Sequence, residues 1–427
     1  MITLLIVIFV IAYAAIALEE PLGLSKSAAA LVGAGLLWTV YALLTNDSHR
    51  IDHELGESLV GTAQIAFFLI GAMTVVEVID SHDGFEVVTQ RMRARSLSSL
   101  TWLIGGVTFF LSAVLDNLTT AIIMVSLLGK LIPDREPRLL LAGLVVICAN
   151  AGGAWSPIGD VTTTMLWVGG QVTSEAVITR LFVPSVVNAL VPLFAIAWIL
   201  RGQPFAVPAA APSESASGTS PLQRKLMFTL GIAVLLAVPV FKAVTHLPPF
   251  LGILFGLGIL WTVGDLLNRR NTTLDRPKVT VAGALARIDM SVIVFFVGIL
   301  LAVAVLEHTG VLAALAAWLD STVGRLDVIV VLIGLASAVI DNVPMVAAAM
   351  GMYSLETYPT DNFLWEFLAY CAGTGGSILI IGSAAGVAAM GIERIGFGWY
   401  LRRIAPLALA GYFAGAAVYL LQSTLSP

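Results

Sequence analysis

The residues of this chain best able to do chemistry are carboxylates set in apolar surroundings. Asp116 stands in LDNLTT (115–120), inside an otherwise apolar run, and Asp341 stands in AVIDNVPM (338–345) in the same kind of setting. A third, Asp160, closes the string NAGGAWSPIGD (150–160) and is followed by VTTT. A buried, ionised carboxylate costs several kcal/mol unless something pairs with it. Asp116 and Asp341 each precede an asparagine, so Asn117 and Asn342 bring neutral oxygen donors to the same places. Anionic and neutral oxygens together suit a hard cation such as Na⁺ or Li⁺, with Asp116, Asn117 and Asp160 as the first candidates for its ligands. The plain alternative is that each Asp caps the helix that follows it. A cap alone would normally lie in an exposed loop, and Ser or Asn would serve at lower cost in lipid.

The elements that carry these residues follow from composition. The chain has 427 residues, 58% hydrophobic and 11% charged, whereas a soluble globular protein carries about 25% charged residues. Apolar runs of helical-span length recur throughout, so the fold class is all-α, polytopic and membrane-embedded. The alternating strands of an outer-membrane barrel are absent. Cys148 and Cys371 lie in apolar segments and read as small packing residues rather than as a disulfide or thiolate site. No nucleotide loop, histidine cluster or haem motif is present, so no cofactor, no enzymatic chemistry and no nucleic-acid partner are expected. Work done by such a chain would draw on an ion gradient. The first segment, MITLLIVIFVIAYAAIALEE, has an AIA before Leu18 but no positive n-region, and reads as a retained first span.

The chain divides into two similar halves. Residues 201–225 are rich in Pro, Ser and Ala and read as a cytoplasmic linker between a first repeat, 1–200, and a second, 226–427. Cys148-Ala149-Asn150-Ala151-Gly152-Gly153 aligns with Cys371-Ala372-Gly373-Thr374-Gly375-Gly376 without a gap, at an offset of 223. Ser112 and Ser337 each stand four residues before their Asp. Segments 138–170 and 364–392 exceed the ~20 residues one span needs. Glycine breaks each near its middle, with Pro157 adding to the first. Asn150, Ser156, Asp160, Thr162, Thr163 and Thr164 crowd the first break. Thr374, Ser377 and Ser383 stand at the second, where there is no acid. We take Asn150, Thr162, Thr163, Ser112 and Ser377, with the residues of the two tips and Asp160, as candidate cation- or proton-binding residues. Close helix packing is the alternative for the glycines.

Charge sets the orientation. Arg91, Arg93 and Arg95 precede segment 97–132, and Lys130, Arg135 and Arg138 border or follow its end, so it reads as a re-entrant hairpin from the cytoplasm. Segment 328–354 has an acid-rich border, with Asp320, Arg325 and Asp327 before it and Glu356, Asp361 and Glu366 after it, and reads as a hairpin from outside. Alternation then places all Lys and Arg residues except Arg50, Arg180, Lys242 and Arg325 inside, and both termini outside. Each repeat has about five crossing segments, one broken at mid-membrane, and one hairpin, in opposite orientations, as secondary transporters are built. Segments 84–95 and 310–322 either lie along the interface or extend the preceding spans. Glu77, Asp80, His82, Glu307 and His308, at span ends, read as solvated. No Lys or Arg is expected at membrane depth near either tip.

These motifs carry a resemblance. With the LDNLTT tip, the IDNVP tip and the CANAGGAWSPIGDVTTT break, the chain resembles the NhaD-type sodium/proton antiporters of the ion transporter superfamily over nearly its full length. The resemblance implies antiport of Na⁺ or Li⁺ against H⁺ across a bacterial cytoplasmic (inner) membrane, in the service of pH homeostasis. It places functional residues at Asp116, Asn117, Asn150, Asp160, Thr162, Thr163 and Asp341. It also implies a homodimer with a moving, elevator-like transport domain. Related members carry arsenite or, with sodium, dicarboxylates. Their tips resemble Ser-Asn-Thr, so titratable tips favour proton exchange, with a sodium-coupled dicarboxylate symporter or arsenite/anion carrier as the alternative. An intramembrane aspartyl protease would need Gly-x-Gly-Asp where this chain has Pro157-Ile158-Gly159-Asp160.

Overall fold

The computed structural model describes residues 2–45, 47–89, 94, 96–203, 220–268, 280–339 and 341–425. Most of the 201–225 linker, and Arg91, Arg93 and Arg95, lie outside the described residues. Among the described residues every regular element is a helix. The first half runs α1 (Ile2–Ala17), α2 (Glu19–Leu22), α3 (Lys26–Thr45), α4 (Ser48–Ser81), α5 (Glu86–Thr89), α6 (Leu97–Ser112), α7 (Asn117–Leu131), α8 (Arg135–Ala154), α9 (Val161–Val168) and α10 (Ser174–Ile199). The second runs α11 (Pro221–Thr245), α12 (Pro249–Asn268), α13 (Val281–Leu285), α14 (Met290–His308), α15 (Val311–Val323), α16 (Leu326–Ala336), α17 (Asn342–Met352), α18 (Phe363–Gly375), α19 (Ala384–Glu393), α20 (Phe397–Arg403) and α21 (Ala405–Leu425).

Eight of these helices, α3, α4, α8, α10, α11, α12, α14 and α21, are long and apolar enough to cross a membrane. The chain is an all-α, multi-pass membrane protein. Leu43, Val240, Val244 and Phe255 point outward from such helices, as lipid-facing side chains do. By contrast α8 is buried on every face from Leu139 to Ala154, and α18 from Leu364 to Gly375. A helix apolar all round belongs in a core. Segment 84–95 yields the short α5, and 310–322 yields α15. The latter is a separate helix after α14, entered through Gly310 at φ +73°.

Helix interruptions fall within each segment read as a hairpin and each segment read as a broken span. α6 and α7 make the first hairpin, α16 and α17 the second, and residues 155–160 and 376–383 interrupt α8/α9 and α18/α19. The same close approaches recur in each half. A Cβ on Gly152 would collide with the Phe109 carbonyl of α6, and one on Gly375 with the Gly334 carbonyl of α16. A Cβ on Gly159 would come 2.5 Å from the Ser112 carbonyl, and one on Gly382 2.5 Å from the Ala338 carbonyl. Glycine is thus required because hairpin and broken helix touch backbone to backbone. Gly152→Ala is expected to destabilise the solubilised protein by about 1–3 kcal/mol, read as a lowered unfolding temperature. Gly106→Ala, with open space around the added carbon, should not. Equal melting of the two variants would refute this account of the interface.

The helices form two groups. α1, α3, α4, α11, α12 and α14 pack on one another; α6 to α10 pack with α16 to α19 and α21. Within the second group α7 lies on α19 and α9 on α17, so each half's hairpin grips the other half's broken helix. The groups meet where α14 lies on α17 and α4 touches α9. Lys242 of α11, read as lying on the outer side, spans them as well. Its Nζ is 2.5 Å from the Trp167 carbonyl at the end of α9 and 4.7 Å from the Trp167 ring centre.

Candidate functional site

The two tips and the first helix break converge on one place. Asp160 precedes α9 but makes no side-chain cap bond to it. Its carboxylate instead accepts from three side chains: Thr162 Oγ1 at 2.7 Å, Asn117 Nδ2 at 3.2 Å and Asn342 Nδ2 at 3.4 Å. Asn117 also donates to Asn150 Oδ1 at 3.0 Å, and Asn150 Nδ2 donates to Ser383 Oγ at 3.0 Å. Each tip and each break thus supplies at least one polar side chain, and Asp160 at their centre is 2% exposed. The cluster forms because each asparagine opens its hairpin's second helix, so its side chain projects from the gap. Helix gaps also free backbone N–H and C=O groups at the same spot.

Ser112 and its counterpart Ser337 act one layer out. Ser112 Oγ donates to the Ala149 carbonyl at 2.6 Å, and Ser337 Oγ donates to the Ala372 carbonyl at 3.1 Å. Each ties a hairpin to its broken helix just before the residues of the break. The second half is chemically plainer. Gly373 stands where the first half has Asn150, and a Cβ there would come 3.2 Å from Asp160 Oδ2. The smallest residue leaves room for the unpaired acid.

Asp116 and Asp341 share this site without bonding to Asp160. Asp116 caps α7, its oxygens taking Thr119 N and Thr119 Oγ1, both at 2.7 Å. The capping alternative therefore holds for Asp116. Asp341 also caps its helix, through a longer 3.4 Å bond from Val343 N. Asp116, Asp160 and Asp341 nevertheless line one cavity of about 90 Å³, walled by Phe68 of α4 and Phe295 and Phe296 of α14.

The structure corrects the expectation that no cation lies near a tip. Lys26, at the start of α3, lines the cavity, and its Nζ is 3.1 Å from Asp341 Oδ2. Three carboxylates and one ammonium leave the cavity net negative when all are ionised, a field that gathers cations.

Other expected residues fall outside the cluster. Ser377 Oγ turns back to the Thr374 carbonyl at 2.6 Å. Thr163 is fully buried and its hydroxyl has no hydrogen-bond partner. Thr164 bonds the Pro157 carbonyl at 3.0 Å. Among the span-end groups, Asp80 and Glu307 are exposed, but Glu77 pairs with Arg287 at 2.5 Å and His82 is buried with Nδ1 2.8 Å from the Val78 carbonyl. His308 Nε2 lies 2.9 Å from Ser58 Oγ.

Sequence reasoning missed Lys26, and it missed Ser383 as a member of the cluster. The offset of 223 offered a signal for Ser383, since it maps Asp160 onto that position.

Comparison with known proteins bears on this geometry. Residues 6–365 match the citrate transporter family, CitMHS. The chain is 47% identical over 413 residues to "Sodium/proton antiporter 1" of Arabidopsis thaliana, covering 97% of this chain and 71% of that one. It is 32% identical over 452 residues to "Na(+)/H(+) antiporter NhaD" of Alkalimonas amylolytica, covering 97% and 89%. Among solved structures the YdaH transporter of Alcanivorax borkumensis superposes with a TM-score of 0.59 at 13% identity, over 94% of this chain and 98% of that one, a likeness of fold. Relatives that span almost the whole chain, tips and break included, show that it belongs to the NhaD-type sodium/proton antiporter family within the citrate transporter group.

Proposed function

We propose that this protein exchanges Na⁺ or Li⁺ for H⁺ across a bacterial cytoplasmic membrane. One observation carries the reading: a buried acid, Asp160, sits among oxygen-bearing side chains from both hairpin tips and both helix breaks, in a cavity two further carboxylates line. Na⁺ would be held by Asp160 with oxygens of Asn117, Asn150, Thr162 and Asn342, and Asp116 would complete the negative field. A proton competes for the same carboxylates, and an empty, charged site is costly to carry through the bilayer. Competition for one site combined with immobility of the empty form yields exchange.

The two halves serve as inverted-topology repeats, with both termini outside and the linker inside. The hairpin group moves against the α4 group in an elevator-like step, within a homodimer. The family resemblance and the division of the helices into two groups support this arrangement.

The citrate transporter match and Lys26 give the anion-carrier alternative its footing. Against it, carboxylates outnumber the ammonium in the cavity, and that ammonium already faces Asp341. The test uses proteoliposomes holding a pH gradient and a pH-sensitive dye. NaCl and LiCl should collapse the gradient, while KCl and choline chloride should not. No response to Na⁺ or Li⁺ between pH 6 and 9.5, together with sodium-dependent uptake of labelled dicarboxylate, would move the assignment to a symporter.

A further inference from the structure

The two tip acids are held in different ways. Both oxygens of Asp116 are satisfied inside its own hairpin, by Thr119. Asp341 has only a long bond to its own helix, and its short contact is with Lys26 of α3, in the other helix group. α3 is itself fixed to that group: Ser27 Oγ donates to the Ser291 carbonyl of α14 at 2.7 Å, and Trp38 Nε1 to the Leu301 carbonyl at 2.9 Å. The Lys26 ammonium also sits 4.8 Å from the Phe295 ring centre, a second attraction from α14. The side chains of Lys26 and Asp341 are 25% and 19% exposed, so water and salt screen the pair less than a surface ion pair.

We propose that Lys26 is a tethered counter-ion that holds the unloaded carrier in place and so enforces coupling between the two transported ions. This deepens the exchange reading and rests on it. With no cargo at the second tip, Lys26 neutralises Asp341. Moving the hairpin group away would strip both charges of their partner inside the protein, which is strongly unfavourable. Cargo at the tip satisfies the carboxylate in place of the ammonium, and the hairpin group is then free to move. Lys26 is a positioning residue here. It acts by setting which loaded states travel, not by carrying an ion. Without it Asp341 lacks a counter-ion in every position, so the Lys26 share of the barrier that holds the empty carrier is lost and a fraction of it crosses unloaded.

The test measures two fluxes from the purified full-length protein in proteoliposomes at clamped membrane potential. One is ²²Na⁺ efflux and the other is proton movement by dye. Lys26→Gln should lower the protons moved per Na⁺ at least about two-fold, while ²²Na⁺/Na⁺ exchange, which needs no empty return step, remains measurable. A ratio equal to wild type would overturn the proposal. If Lys26→Gln is inactive in both assays, Lys26→Cys decides. Modification by an aminoethyl methanethiosulfonate restores the positive charge and should restore the ratio, whereas a neutral methyl adduct should not. Cys148 and Cys371 are fully buried and do not compete for the reagent. Equal ratios for the two adducts would overturn the proposal. A wild type that moves no protons with Na⁺ would take down the exchange reading itself, and this proposal with it.

Discussion

Asp160→Asn is expected to lower Na⁺-dependent proton flux by about 100-fold or more under the proposed exchange, because it removes the one charge on which the polar cluster converges. Three donors, Thr162 Oγ1, Asn117 Nδ2 and Asn342 Nδ2, point at this carboxylate. An amide in its place offers one oxygen and turns an N–H₂ toward at least one donor. A buried donor left unsatisfied costs about 1–3 kcal/mol, so the variant should also melt earlier. Loss of flux alone would not separate loss of the ion site from loss of the fold. Thermal unfolding in rising NaCl, at fixed ionic strength with choline, makes the separation. Wild type should gain stability as RT ln(1 + [Na⁺]/Kd). Asp160→Asn should gain none. Salt-specific stabilisation that survives in the variant would place the cation elsewhere.

Asp116→Asn is expected to lose exchange at least about ten-fold while keeping its fold, because asparagine caps a helix as well as aspartate does. The remaining carbonyl oxygen still accepts from Thr119 N, and the Thr119 hydroxyl can rotate to accept from the amide. What changes is the field, since the cavity loses one of its three carboxylates. Asp116→Ala should lose exchange and also about 1 kcal/mol of stability, having neither cap nor charge. If Asp116 served only as a cap, Asp116→Asn would exchange like wild type with an unchanged pH profile. The pair of variants, assayed for dye recovery and unfolding temperature, therefore separates the two roles that the geometry superimposes.

Much of this arrangement is legible in the chain because its causes are local. A carboxylate in an apolar run, a stretch of Gly-Gly-x-x-x-Pro and an offset of 223 that needs no gap all arise within short windows. They predict tips, breaks and duplication, and helix ends fall at the tips and the breaks. The roles of individual side chains are less legible. Asp116 takes its own backbone as partner, while Asp160, equally a helix-opening acid, does not. The difference lies in what faces each acid: Asp160 meets amides from hairpins 43 and 182 residues away. Lys26 lies 315 residues from Asp341, so no window contains both. In sequence it is one basic residue at the start of a span, which the charge rule assigns to water. Ser377 illustrates the opposite error. Its type and neighbourhood suit a ligand, but a hydroxyl in the turn that follows a helix can bond back to a carbonyl of its last turn, and this one bonds to Thr374.

The amides around Asp160 have a consequence for how fast its occupant can change. In the arrangement seen here Asn117 and Asn342 present their nitrogens to the carboxylate. Half a turn about the last side-chain bond would present their oxygens in the same place. Carboxamides are two-faced groups, donor on one side and acceptor on the other. The same two residues can thus solvate an anion when the acid is bare and help ligate a metal ion when one arrives. No helix has to shift for that reversal. Rotation of side chains belongs to a far faster class of motion than displacement of helices. In the proposed exchange cycle, swapping one ion for another is then quick on either side of the membrane, and turnover is set by the slower proposed passage of the helix group that carries the site.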